Sequence, residues 1–170
     1  MTLTVHHYYP FGSGNVGDHL VARALRLALP RHFGPLHFVP MPVNDRYRAG
    51  DRTLGLVGDN VDRSNAEADL VVVGGSNLLE PRKPRRIGLF RRGPMRWGVF
   101  TDSASLDRLR TPVLLVGMGT GSDQRQRILR YAEPARSEVC RLHEQSFAAA
   151  VRDVATTRER SEEHTSELQS

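Results

Sequence analysis

"ADLVVVGGSNLLEP", residues 68–81, decides how the rest of the chain is read. Leu70 to Val73 is an unbroken aliphatic run, mostly β-branched. A strand with one wet face would alternate with polar residues, so this run marks a strand buried on both faces. It stops abruptly at Gly74-Gly75-Ser76-Asn77.

The same plan recurs on either side. Upstream, Leu3 to Tyr8 reads as a first strand, followed by the glycine-rich "FGSGNVGDHL" (11–20) and a helix from about Asp18 to Leu29. Leu20, Val21, Ala24, Leu25, Ala28 and Leu29 recur at helical steps, and Pro30 closes the pattern. "PLHFVPM" (35–41) reads as a second strand. Downstream, "PVLLVGMGTGSD" (112–123) gives another buried strand, Val113 to Val116, and another glycine cluster.

The remaining segments are less regular. Residues 42 to 66 are polar and turn-rich with no firm period, and the arginine- and proline-rich stretch 81 to 99 reads as a loop. Ser103 to Leu109 has the pattern of a short helix. A helix should begin near Ser122 or Asp123, with a second one from Pro134 whose face is Val139, Leu142, Ser146, Phe147 and Ala150. "VATTRE" (154–159) is a last candidate strand.

Strands alternating with helices predict an α/β fold, a Rossmann-like, doubly wound parallel sheet. Ligands of such sheets gather at the carboxyl ends of the strands. Here three strand ends carry glycine clusters, at 12–17, 74–75 and 117–121. Glycine lets backbone and ligand approach closely, so the three turns would form a floor of backbone N–H groups.

Composition bounds the function. The chain has 170 residues, 39% of them hydrophobic, enough for one domain with a core. No run is long enough to span a membrane, and "MTLTVHHYYP" lacks the build of a signal peptide, which points to a cytoplasmic location. Cys140, the single cysteine, excludes a disulfide framework. The histidines, His6 and His7 among them, lack metal-ligand spacing. Adjacent on a strand, His6 and His7 should point to opposite faces. The reading is no metal and no cofactor. The net charge is +5 and every basic residue except Lys83 is arginine. Such a surface suits phosphates, acidic sugars or a membrane without selecting among them.

"RSEEHTSELQS" (160–170) has no hydrophobic period and matches the in-frame translation of a common sequencing adapter. The expected division is therefore a native part, 1–159, and an adapter-derived tail, 160–170. The native part would then be an incomplete domain. The tail holds one arginine and three glutamates, so setting it aside makes the remainder more basic.

Gly12, Gly14 and Gly17 match G-x-G-x-x-G, but the acidic residue expected after the second strand is missing; Asp45 follows only after two prolines. A P-loop is excluded because no Gly-Lys-Ser/Thr follows. The order of motifs says more. Asn15-Val16-Gly17-Asp18 at a helix start, then "ADLVVVGGSNLLE", then "PVLLVGMGTG", resembles the polysaccharide pyruvyl transferase family across about residues 3 to 159. "TTRE" is similar to the start of a later element of that family. The chain departs from the family in having Ser76 where a third glycine is common and Ser122 where a proline is common.

The resemblance implies the N-terminal lobe of a two-lobed, GT-B-like enzyme, truncated here. Such an enzyme moves a pyruvyl group from phosphoenolpyruvate to a hydroxyl of a cell-surface polysaccharide or its lipid-linked precursor. Its partners would be phosphoenolpyruvate and a glycan acceptor. The donor site would lie largely on the second lobe, leaving this lobe inactive alone. Asp18 is the candidate catalytic base, and equally a helix cap. Asn15, Gly17, Gly75, Ser76, Asn77, Gly119 and Gly121 are candidate substrate-binding positions, and equally turn formers. Arg82, Arg85, Arg86, Arg91 and Arg92, with Phe90 and Trp97 between and after them, are candidates for an anionic partner. That partner would be a lipid-diphosphate-linked sugar at the inner face of the membrane, favoured over nucleic acid, or the segment is a solvated loop. A non-catalytic sugar- or nucleotide-binding Rossmann-like module, or a glycosyltransferase-type lobe, remains the alternative.

Overall fold

A computed structural model describes residues 1–9, 16–42, 58–75, 81–82, 86–87, 91–92, 96–97, 103–118 and 135–151. Five strands form one wholly parallel sheet: β1 (Leu3–Tyr9), β2 (Leu36–Pro42), β3 (Leu70–Gly74), β8 (Val113–Met118) and β9 (Ser146–Val151). Four strands of two residues lie between β3 and β8. They are β4 (Pro81–Arg82), β5 (Arg86–Ile87), β6 (Arg91–Arg92) and β7 (Arg96–Trp97). The helices are α1 (Val16–Ala28), α2 (Pro30–Phe33), α3 (Gly58–Glu67), α4 (Ser103–Arg108) and α5 (Ala135–Gln145).

The sheet order is β2-β1-β3-β8-β9. Counting only its own strands this is 2-1-3-4-5, one of the two common doubly wound orders. β3 is buried along its whole length, and Val71, Val72 and Val73 are fully inaccessible. Two apolar layers flank it. Val5, Leu70, Val72 and Leu114 pack with Leu29, just after α1. Tyr8, Val71, Val73, Leu115 and Met118 pack with Val61 of α3, Leu106 of α4 and Leu142 of α5. Each fully buried aliphatic side chain contributes about 1.5–3 kcal/mol of transfer free energy.

The sequence reading needs correction at four places. α3 lies in the stretch read as irregular. Its inward face holds Val61 with the buried polar residues Asn60 and Ser64, so no apolar period marks it. Hydrogen bonds dock it instead: Ser64 Oγ lies 3.0 Å from His6 Nδ1 and 2.7 Å from the Tyr8 hydroxyl. Asn65 Oδ1 accepts from the Arg110 amide at 2.8 Å, and Asn65 Nδ2 donates to the Arg108 carbonyl at 2.8 Å.

In α1 the apolar period overstates burial. Ala22 and Asp18 are buried, whereas Leu20, Val21, Ala24 and Ala28 are exposed. Residues 146–151 do not continue the helix of α5. They form β9 along the open edge of β8, where a whole ladder of backbone hydrogen bonds outweighs the helical preference of three alanines. The segment 81–99 is not wholly a loop. β4 pairs with β7 and β5 with β6, both antiparallel, so the chain doubles back as one hairpin nested inside another.

Other expectations hold: α1 and α4 lie where the patterns place them, α5 follows Pro134, and strands occupy the stretches read at 3–8, 35–41, 70–73 and 113–116. The helix start near Ser122, the candidate strand 154–159 and the tail 160–170 lie outside the described residues.

Ser64→Ala should lower the thermal midpoint by an amount equivalent to about 1–3 kcal/mol, because it strips the fully buried His6 ring of its Nδ1 partner. Thermal melting followed by circular dichroism reads this, and an unchanged midpoint would show that the α3 dock does not rest on Ser64.

Candidate functional site

In a 2-1-3-4-5 sheet the chain turns to opposite sides after the first and third strands, leaving a crevice at their carboxyl ends. The corresponding place here is at the ends of β1 and β3, whose register runs from Val5↔Leu70 to Tyr8↔Val73. α1 starts on this edge. Gly17 is exposed, and Asp18 in the first turn is only 9% exposed. A carboxylate there is stabilised by the partial positive charge of the helix start.

Gly75 joins the pieces. Its φ is +91°, and its amide donates to the Val116 carbonyl at 3.1 Å. A side chain at Gly75 would begin 3.5 Å from Val21 Cγ1 and 3.6 Å from the Ala22 amide nitrogen, so the turn lies directly against α1. Asp18 sits one helical turn before Ala22, towards the rim. Gly117, with φ +63°, lies on the other side of Gly75; a Cβ there would be 4.0 Å from the Gly75 nitrogen. Gly17, Asp18 and Gly75 are thus brought to one edge, with the end of β8 beside them. Asn15, Ser76, Asn77, Gly119, Gly121 and Arg85 lie outside the described residues.

The basic segment is described only as backbone. Its register sets Arg82 opposite Arg96 and Arg86 opposite Arg92, with Arg91 opposite Ile87.

The first strand carries buried polar residues behind this edge that motif spacing missed. His7 is fully buried and stacks on Tyr9 with ring centroids 4.7 Å apart. Arg26 reaches from α1 to the Tyr9 hydroxyl at 3.3 Å and covers the Tyr9 ring at 5.2 Å. Burial, reinforced by the Arg26 charge, pushes the His7 imidazole down to about 4, and the Gly74 backbone opposes this only in part. Among the described residues Arg26 Nε has no hydrogen-bond partner. The signal was present in "HHYY": four polar-tipped rings in a row on a strand with both faces covered.

The opposite face of β1 holds His6, Tyr8 and Ser64, as the alternation of His6 and His7 requires. Burial and then the Arg63 charge lower the His6 pKa, while Glu67, 3.8 Å from Nε2, works the other way. Burial pushes the Tyr8 hydroxyl up to about 12. Ser64, His6 and Glu67 have the order of a nucleophile, base and orienting carboxylate. Ser64 and His6 are both fully inaccessible, so this set joins α3 to the sheet and meets no substrate.

Among the described residues no three His, Cys, Asp or Glu side chains could hold a metal ion, and no helix is long and apolar enough to cross a membrane. Comparison with protein-family models, with curated proteins and with solved structures finds no match.

Folding keeps His7 neutral, so its contribution to stability is present above the ordinary value of 6.5 and is lost as pH falls from there towards about 4. The loss should approach about 3 kcal/mol. Denaturant melts of the wild type and His7→Phe across that range will show it: the wild type should weaken more steeply with acid, and parallel profiles would refute the buried neutral ring.

Proposed function

We propose that this chain is the acceptor-side Rossmann-like lobe of a polysaccharide pyruvyl transferase-type enzyme with a two-lobed, GT-B-like plan. The observation that carries the reading is the meeting of the Gly75 turn with α1 one turn below Asp18, on the carboxyl edge of a parallel sheet. That edge is where the Asn15-Val16-Gly17-Asp18 and "VVVGGSN" motifs of the resemblance would have to converge.

The chemistry makes definite demands. A sugar hydroxyl adds to C2 of the enol phosphate, C3 takes up a proton, and the C2–O bond to phosphate breaks. A second hydroxyl then closes the ketal. One of the two hydroxyl protons is balanced by the proton added at C3, and the other leaves with the phosphate. The lobe must orient hydroxyls, accept a proton and tolerate anionic charge. In this reading Asp18 accepts the hydroxyl proton, and exposed backbone at Gly17 lets the sugar lie close, with the buried Gly75 turn backing α1. The paired arginines of β4 to β7 meet the diphosphate of a lipid-linked acceptor. Phosphoenolpyruvate is held mainly by the second lobe, so this lobe alone would not release phosphate from it.

A second reading is favoured by the switch-point position itself, where sheets of this order hold mononucleotides. On it the chain is a sugar- or nucleotide-binding module, or a glycosyltransferase-type lobe, without pyruvyl transfer.

Saturation-transfer NMR with the purified chain, an acidic bacterial oligosaccharide and a nucleoside diphosphate separates the two. The first reading expects contact with the oligosaccharide, weakened at least about tenfold by Gly75→Ala, because a side chain at φ +91° is strained and would shift the turn that backs α1. Asp18→Asn should retain both fold and sugar contact, since asparagine still serves a helix start. Preference for the nucleotide would sink the pyruvyl-transfer reading, and a melting curve for each variant guards against simple unfolding.

A further inference from the structure

We propose that the outer face of α1 docks on an anionic lipid surface. The inference does not depend on the pyruvyl-transfer reading. Val16, Leu20 and Leu27 are 69%, 61% and 64% exposed. At about 100° per residue they fall within an arc of about 40° and extend about 16 Å along the axis. The opposite side carries the buried Asp18, Ala22 and Leu29, which face the sheet. Ala24 and Ala28 are exposed as well. The helix is therefore apolar on the side that meets solvent as well as on the side that meets the core. A helix of that kind is normally covered on both.

Charge identifies the cover. Arg23 is exposed and borders the stripe, and Arg31 and His32 are exposed on α2, which packs against α1. Phe33, at the end of α2, is also partly exposed. Asp18 is the only acidic residue before Asp45, and it is turned inwards. The surface of α1 and α2 therefore presents leucine, valine and phenylalanine with arginine at their margin and no carboxylate among them. An apolar stripe bordered by arginines matches an interface of acyl chains and anionic headgroups. An acyl-chain boundary takes the leucines while the headgroup phosphates take the arginines, and neither needs a shaped pocket.

Co-sedimentation of the full chain with vesicles tests this, using phosphatidylcholine alone and phosphatidylcholine mixed with phosphatidylglycerol. The chain should bind the anionic vesicles, more weakly at high salt, and prefer them to the neutral ones. The double variant Leu20→Gln, Leu27→Gln should melt like the wild type, because both side chains are exposed, yet lose at least about tenfold in partitioning. Arg63→Gln, Arg108→Gln, both half-exposed on α3 and α4 across the sheet from α1, should bind nearly as well as the wild type. Absence of binding to anionic vesicles, equal binding by the leucine variant, or loss confined to the Arg63, Arg108 variant would overturn the proposal. So would light scattering that found a dimer dissociated by the leucine substitutions, since the face would then belong to a second copy.

Discussion

The parallel pairing of β1 with β3 is the contact on which the rest of the molecule depends. Four consecutive register pairs, Val5↔Leu70 to Tyr8↔Val73, join two strands that are buried on both faces. β2 adds outside β1, while β8 and β9 add outside β3. The winding therefore reverses at this pair and nowhere else in the sheet. That reversal opens the rim between Tyr9 and Gly75. It also leaves α1 as the helix that closes one side of the rim, which gives the burial of Asp18 its meaning.

Much of this was legible because fully buried strands write themselves plainly. Leu70 to Val73 and Val113 to Val116 admit no wet face, and glycines at their ends foretell turns close to a neighbour. Gly75 fulfils that expectation against both α1 and Val116. α4 was legible from ordinary periodicity. Of the positions the motifs single out, Gly17, Asp18 and Gly75 are placed on one edge.

What escaped was written in polar residues. α3 docks through Ser64 and Asn65, whose hydrogen bonds pair residues more than forty positions apart and leave no local period. β9 is set by the open edge of β8 rather than by its own alanine-rich residues. The nested hairpin is a matter of register, which arginine content cannot reveal. In α1 the helical period picks out Leu20, Val21, Ala24 and Ala28, which are exposed, and passes over Ala22, which is buried. His7 and Arg26 belong to no motif; only the close approach of Tyr9 to α1 brings them together.

The succession His6, His7, Tyr8, Tyr9 has a consequence for how the molecule assembles. A strand usually resists slipping by one position because its oily and wet residues would trade places. Here a slip would exchange one histidine and tyrosine for another histidine and tyrosine, so over these four residues oiliness cannot tell right from wrong. Discrimination falls to individual handholds: Ser64 grips His6 and Tyr8 from below, and Arg26 holds Tyr9 from above. Strand β1 is thus indexed by named polar contacts, and the alignment of the whole rim inherits its accuracy from them.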